Sequence, residues 1–203
     1  MNQKTISPFT ERIALWTSAI FSPFIVPIVA AVFVIHKNAG TTEEVLLWIT
    51  VVAIFVTVLP ILAIVLLFRL SKVSNVHLHA KEERLLPLSL TVVSMVLGTI
   101  VLYRVGANER IIWVCQAYIV NSVVFSAITP FWKISFHTSV ATGCIIVLAL
   151  FVNYVLVWLF LLLPLIAWAR IYRKRHTPLQ TVMGTFLAVV NTMLYYYILP
   201  PSV

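Results

Sequence analysis

Apolar runs long enough to cross a bilayer follow one another along this 203-residue chain with only short polar interruptions. About 20 apolar residues cross a hydrocarbon core of roughly 30 Å, so runs of this length read as transmembrane helices. The spans expected are 13–36, 45–70, 86–105, 111–131, 137–152, 153–170 and 178–199. The fourth or fifth could be partly re-entrant, so the fold expected is an all-α polytopic membrane bundle of six to seven transmembrane helices. With 62% hydrophobic and 10% charged residues, residues 1–203 form one membrane domain, with little room for a separate soluble module. The first run is too long for a signal-peptide core and has no small-residue cleavage site before it, so it reads as a mature helix. Pro23, Pro27, Pro60 and Pro164 should kink their helices, because neighbours in a bundle can satisfy the carbonyls they free.

The connections divide the charge. Lys4, Arg12, Arg69, Lys72, Lys81, Arg84, Lys133, Arg170, Arg173, Lys174 and Arg175 fall on the side of the N-terminus, against Lys37, Arg104 and Arg110 on the other. Cytoplasmic loops carry the excess of Lys and Arg. The N-terminus is therefore expected in the cytoplasm, and the plasma membrane of a prokaryote is the expected setting. A net charge of +8 in such a chain fits topology and anionic lipid or phosphate, not nucleic acid. Cys115 and Cys144 lie inside apolar runs without metal-ligand spacing and read as small core residues.

The same division gathers the polar chemistry. His77, His79, His137 and His176 fall on the N-terminal side at three different helix junctions, leaving His36 alone on the other. Two clusters stand out, Lys133-Ile134-Ser135-Phe136-His137 and Arg170-Ile171-Tyr172-Arg173-Lys174-Arg175-His176. Histidine and cations are costly beside a membrane core, and together they suit chemistry on a phosphate at one membrane face. The chain has no Asp, and its six acids are all Glu. An Asp-rich magnesium site is therefore excluded, and no metal or cofactor is expected.

Ala169-Arg170-x5-His176-x3-Gln180 with Gly184 resembles the third signature of the type 2 phosphatidic acid phosphatase superfamily, Ser-Arg-x5-His-x3-Asp. Trp132-Lys133-Ile134-Ser135-Phe136-His137 with Gly143 resembles its second, Pro-Ser-Gly-His. Lys81-Glu82-Glu83-Arg84-Leu85-Leu86-Pro87 is similar to a degenerate first signature, Lys-x6-Arg-Pro. The resemblance implies metal-independent hydrolysis of a lipid phosphate or prenyl (di)phosphate. In that scheme His176 attacks phosphorus to give a phosphohistidine and His137 protonates the leaving group. Arg84 and Arg170 clamp the phosphoryl oxygens as planar, always-charged forks. Ser135 donates its hydroxyl beside the backbone N–H groups opening the fifth helix, which favour anions. Lys133 joins the phosphate site.

Several positions depart from the pattern. Gln180 stands for the orienting Asp; its carbonyl can fix the tautomer of His176 but cannot stabilise an imidazolium as a carboxylate would. Phe136 replaces the signature Gly, and Leu85 the Pro. His77 stands seven residues before Arg84, where the signature has Lys, and Lys81 lies one turn before Arg84 to take over that role. Arg69, Lys72, Arg173, Lys174 and Arg175 read as topology and headgroup anchors. Tyr195, Tyr196, Tyr197 and Trp113 read as interfacial belts, and Gly98, Gly143 and Gly184 as close-packing positions.

The function expected is a membrane lipid phosphatase, or a phosphotransferase using the same intermediate. A non-catalytic lipid-phosphate binding or transport protein that kept the anion site is the rival. A prenyltransferase needs Asp-rich motifs, a retinal protein needs a Lys in the last span, and an ion-coupled transporter commonly carries an acid within a span. The chain has none of these.

Overall fold

The computed structural model describes residues 8–73 and 82–201, and every regular element among them is helical. In chain order these are α1 (Pro8–Ile20), α2 (Val26–Asn38), α3 (Thr42–Val52), α4 (Leu59–Arg69), α5 (Leu85–Arg104), α6 (Glu109–Ile128), α7 (Phe136–Phe151), α8 (Leu163–Tyr172) and α9 (Pro178–Ile198). A π-helical turn, Ala53–Val58, joins α3 to α4, and a 3₁₀ stretch, Tyr154–Leu162, leads into α8. Five helices are long and apolar enough to cross a membrane: Thr42–Arg69, Leu85–Arg104, Glu109–Ile128, Tyr154–Tyr172 and Pro178–Ile198. Their outward faces are greasy, with Leu66, Val93, Leu97, Trp158, Leu161 and Val182 among the exposed side chains. The protein is an integral membrane helix bundle.

The first expected span, 13–36, is not one helix. Pro23 and Pro27 lack the N–H groups that would continue the ladder, and the chain breaks between Ile20 and Val26. The carbonyls freed there find donors on other helices. Tyr118 Oη–H donates to Pro23 O at 3.2 Å and Thr57 Oγ1–H to Phe24 O at 2.9 Å. Pro60 acts through helix type. Leu59 N–H reaches back five residues to Ile54 O, and Pro60 has no N–H to offer Phe55 O. Ser94 Oγ–H supplies that bond from α5 at 2.6 Å. One turn further on α5, a Cβ added at Gly98 would lie 2.5 Å from Phe55 Cβ, so only glycine allows the bulged helix this close.

The two shorter apolar helices, α2 and α7, have 13 and 16 residues. At 1.5 Å per residue they are about 20 and 24 Å long, less than a bilayer core. For α7 the reason is its place in the bundle. It packs against α2, α6, α8, α9 and the 3₁₀ stretch, and most of its residues are buried. Protein, not lipid, surrounds it. Its tightest crossing is with α9, where a Cβ on Gly184 would meet Ser139 Oγ at 2.7 Å and Ser135 O at 2.9 Å.

Candidate functional site

His176 owes its place to two adjoining helix ends. Helix α8 closes with Lys174 in the left-handed region (φ 53°), and Arg175 N–H donates to Arg170 O at 3.0 Å. That turn brings the chain back over Arg170. Helix α9 then opens with a capping box: Gln180 N–H donates to Thr177 Oγ1 at 3.3 Å, and Thr177 N–H donates to Gln180 Oε1 at 3.1 Å. The same Oε1 lies 3.2 Å from His176 Nδ1. An amide oxygen can only accept, so Nδ1 carries the proton and Nε2 keeps its lone pair. Gln180 therefore caps the helix and sets the tautomer at once.

His137 sits in the first turn of α7. Its Nε2 lies 3.2 Å from Ser18 O near the end of α1. A carbonyl also only accepts, so Nε2–H donates and Nδ1 is left free. The α7 start is tied to α9 by its backbone: Ser135 N–H donates to Gln180 O at 3.3 Å and Thr138 Oγ1–H to Thr181 O at 3.0 Å. The Ser135 side chain does not cap α7, and its hydroxyl is buried without a hydrogen-bond partner.

Around the two imidazoles stands a crowd of like charge. Burial lowers the Lys133 ammonium from its ordinary range, and Arg84, Arg175 and Arg170 push it the same way. Burial also lowers Arg84. His176 is pushed down to about 4, first by burial and then by Arg170, with Lys133 and Arg84 adding to the effect and the Gln180 hydrogen bond opposing it. It is thus neutral at neutral pH. Arg170 Nε is buried with no hydrogen-bond partner. A guanidinium donor left unmade is costly, and an anion in the cavity would offset the like charge gathered around it.

These groups line one end of a cavity of about 710 Å³. Arg84, Lys133, His137, Arg170, Arg173, Arg175 and His176 form that end. The walls beyond are largely apolar, from Leu15, Phe24 and Val56 down to Ile35, Leu102 and Ile111.

The structure therefore brings Arg84, Lys133, His137, Arg170 and His176 together from three separate junctions. Gln180 lies behind His176. Ser135 is fully buried at the α7–α9 crossing and is not part of the cavity wall; Ser139, one turn on, takes a place there. Lys81 and His77 lie outside the described residues, as does His79. Arg173 and Arg175, read from the sequence as headgroup anchors, are on the cavity wall. The Ser18 carbonyl has no sequence signal at all, whereas Thr177-x-x-Gln180 is a readable capping-box pattern. Among the described residues no three His, Cys, Asp or Glu side chains gather as metal ligands. Compared with known proteins, the chain matches no family model, no curated protein and no solved structure.

Proposed function

We propose that the protein is a lipid-phosphate phosphatase of the histidine type, a divergent relative of the type 2 phosphatidic acid phosphatases. One observation carries this reading. A neutral His176, with Nε2 left free by its Gln180 bond, stands among Arg84, Lys133 and Arg170 at the mouth of an apolar cavity. A phosphate would sit among the cations while its lipid chain enters the cavity.

The chemistry balances with the residues present. Nε2 of His176 attacks phosphorus of a phosphate monoester monoanion, and the P–O bond to the lipid breaks. The proton of the phosphate passes through His137 Nδ1 to the leaving oxygen, which departs as the lipid alcohol. The Ser18 carbonyl holds Nε2–H and steadies the ring while it is charged. Arg84 and Arg170 hold the equatorial oxygens as charge spreads over them. Water then attacks the phosphohistidine and gives its proton to His137 Nδ1, which passes it to the inorganic phosphate as that leaves, so both histidines are restored. Prenyl diphosphates fit the same sequence of steps. The charge bias of the loops favours the cytoplasmic face for the site.

A second reading, a lipid-phosphate binder or transporter, draws on the reach of the cavity toward Leu102 and Ile111 at the opposite ends of α5 and α6. Phosphate release separates the two. Purified protein should release inorganic phosphate from a short-chain lipid phosphate, and His176→Ala should lower the rate at least about 10³-fold, with His137→Ala lowering it about 10²-fold or more. Acid-labile phosphate should be trapped on the parent and not on His176→Ala. If both variants turn over like the parent, the enzymatic reading fails; binding without release favours the transporter.

A further inference from the structure

The cavity that carries the charged groups at one end also has a bottom, and helix periodicity shows where it lies. On α2, Val29 and Phe33 face outward, 49% and 54% exposed. Ala31, two residues from each, points to the opposite side of the helix at about 100° per residue. It lines the cavity and is nevertheless partly exposed, so its open surface is the cavity's. Helix α6 repeats the pattern. Gln116 is exposed, whereas Val114 and Tyr118, two residues to either side of it, pack against the core. Both line the cavity and both are partly exposed. Open space therefore reaches as deep as Ala31 and Val114.

One turn further on, the walls close. Ile35 on α2, Leu102 in the last turn of α5 and Ile111 in the first turn of α6 line the same cavity and are 1%, 1% and 2% exposed. They form a floor at the end remote from the histidines. The open end is the charged one, where Leu15 on the cavity wall is 48% exposed. The depth is read along α6. Phe125 meets Phe136, the neighbour of His137, with ring centroids 5.9 Å apart, and so marks the level of the imidazole. Val114 lies eleven residues back from Phe125 and Ile111 fourteen, about 16 and 21 Å along the helix. An extended hydrocarbon chain advances roughly 1.25 Å per bond, so about 13 to 16 carbons fill the distance. The volume agrees. A methylene is close to a water molecule in size, ~30 Å³. One such chain with its phosphate fills most of the 710 Å³, and two chains overfill it.

We propose that this cavity is a length gauge: it holds one hydrocarbon chain of about 13 to 16 carbons below the phosphate, and Ile35, Leu102 and Ile111 stop the end of that chain. The inference rests on the lipid-phosphate reading for the position of the headgroup. It deepens that reading by selecting phosphates of one medium-length chain over long polyprenyl phosphates. The surrounding bilayer is as apolar as the cavity, so burial alone does not choose a length. Fit does. A chain that stops short leaves contacts unmade along the empty bottom, and one that is too long crowds the floor.

A series of n-alkyl phosphates from 8 to 22 carbons, titrated by calorimetry into the purified full-length protein in lipid nanodiscs, tests the gauge. Affinity per mole fraction in the nanodisc lipid should rise about two- to threefold per carbon toward an optimum at about 13 to 16 carbons. It should then fall about tenfold within three further carbons. Val114→Phe adds bulk on the open side of α6 and should shorten the optimum by about three carbons. Ala31→Leu should shorten it from α2, and serves if the first variant misfolds. An affinity without an optimum along the series overturns the proposal. So does an optimum that neither substitution moves. The scan on the parent protein stands without either variant. Failure of the phosphate reading looks different: alcohols of the same lengths would then show the same optimum and bind as tightly, and Arg170→Ala would change neither.

Discussion

The two ends of this bundle treat their polar groups in opposite ways. At the end holding the C-terminus, Trp113 is ringed by Phe151, Tyr195 and Tyr196 with centroids 5.2 to 5.9 Å away. Its Nε1–H donates to Leu199 O at 2.6 Å, Tyr195 Oη–H to Gln116 Oε1 at 2.9 Å, and Arg110 Nη1–H to Asn38 Oδ1 at 3.1 Å. A capping box of Thr41 and Glu44 opens α3 there. Trp48 Nε1, further into the bundle, is buried without a partner, but it is neutral. At the other end Arg84, Lys133, Arg170 and Arg175 repel one another, and Arg170 Nε, Ser18 Oγ and Ser135 Oγ are buried without partners. One end is made of finished bonds, and the other carries gathered like charge and buried polar groups without partners. Consistency across levels is what a fold needs, and a local breach of it marks a working site.

Breaking the contrast at the charged end should have the largest effect, and on rate alone. Arg170→Ala is expected to lower phosphate release about 10²- to 10³-fold, the usual worth of a preorganised donor aimed at developing charge. Its thermal unfolding temperature should hold or rise, because one member of a self-repelling cluster is gone. Arg170→Lys should recover little of the rate, since a point charge lacks the planar fork. An unfolding temperature that drops with the rate would make Arg170 a structural residue and erase the contrast.

The finished end should answer in the opposite currency. Trp113→Phe keeps an aromatic ring in the cluster but loses the hydrogen bond to Leu199 O. Unfolding in denaturant should show a loss of about 0.5–1.5 kcal/mol, while phosphate release per folded molecule stays unchanged. If release falls in step with stability, the two ends are coupled through α7, whose last turn packs Phe151 on Trp113.

Much of this was legible in the residues, and the gaps have physical causes. The expected spans 45–70, 86–105, 111–131, 137–152 and 178–199 lie within about three residues of helices or continuous helix pairs in the structure, because long apolar runs bounded by charge leave few alternatives. The first span failed on its own prolines: Pro23 and Pro27, four residues apart, remove successive rungs of the ladder, so a bend became a break. Arg84, Lys133, His137, Arg170 and His176 were readable as a set because motif spacing and sidedness both selected them. Arg173 and Arg175 were not, since a cation beside a span has the same pattern whether it faces lipid headgroups or a cavity. A backbone carbonyl such as that of Ser18 has no letter in the sequence.

The smallest effect expected is a shift of titration at the charged end. Burial and the neighbouring cations hold His176 down to about 4, against the single opposing hydrogen bond from Gln180. Its imidazole ordinarily titrates near 6.5, so between those values the unfolded chain binds a proton that the folded one refuses. Stability from this group is therefore complete above about pH 6.5 and declines as acid takes the pH down through about 4. An anion seated among Arg84, Lys133 and Arg170 offsets their field and must raise the His176 value. Gln180→Glu should raise it as well, by placing a carboxylate against Nδ1–H while keeping a residue suited to the capping box. The check is the imidazole ¹⁵N titration of His176 with and without an alkyl phosphate, beside the acid limb of kcat/KM in both proteins. The limb should move to higher pH in Gln180→Glu by the same interval as the free protein's NMR titration. A limb that stays in place while the NMR titration moves would assign the essential base to a group other than His176.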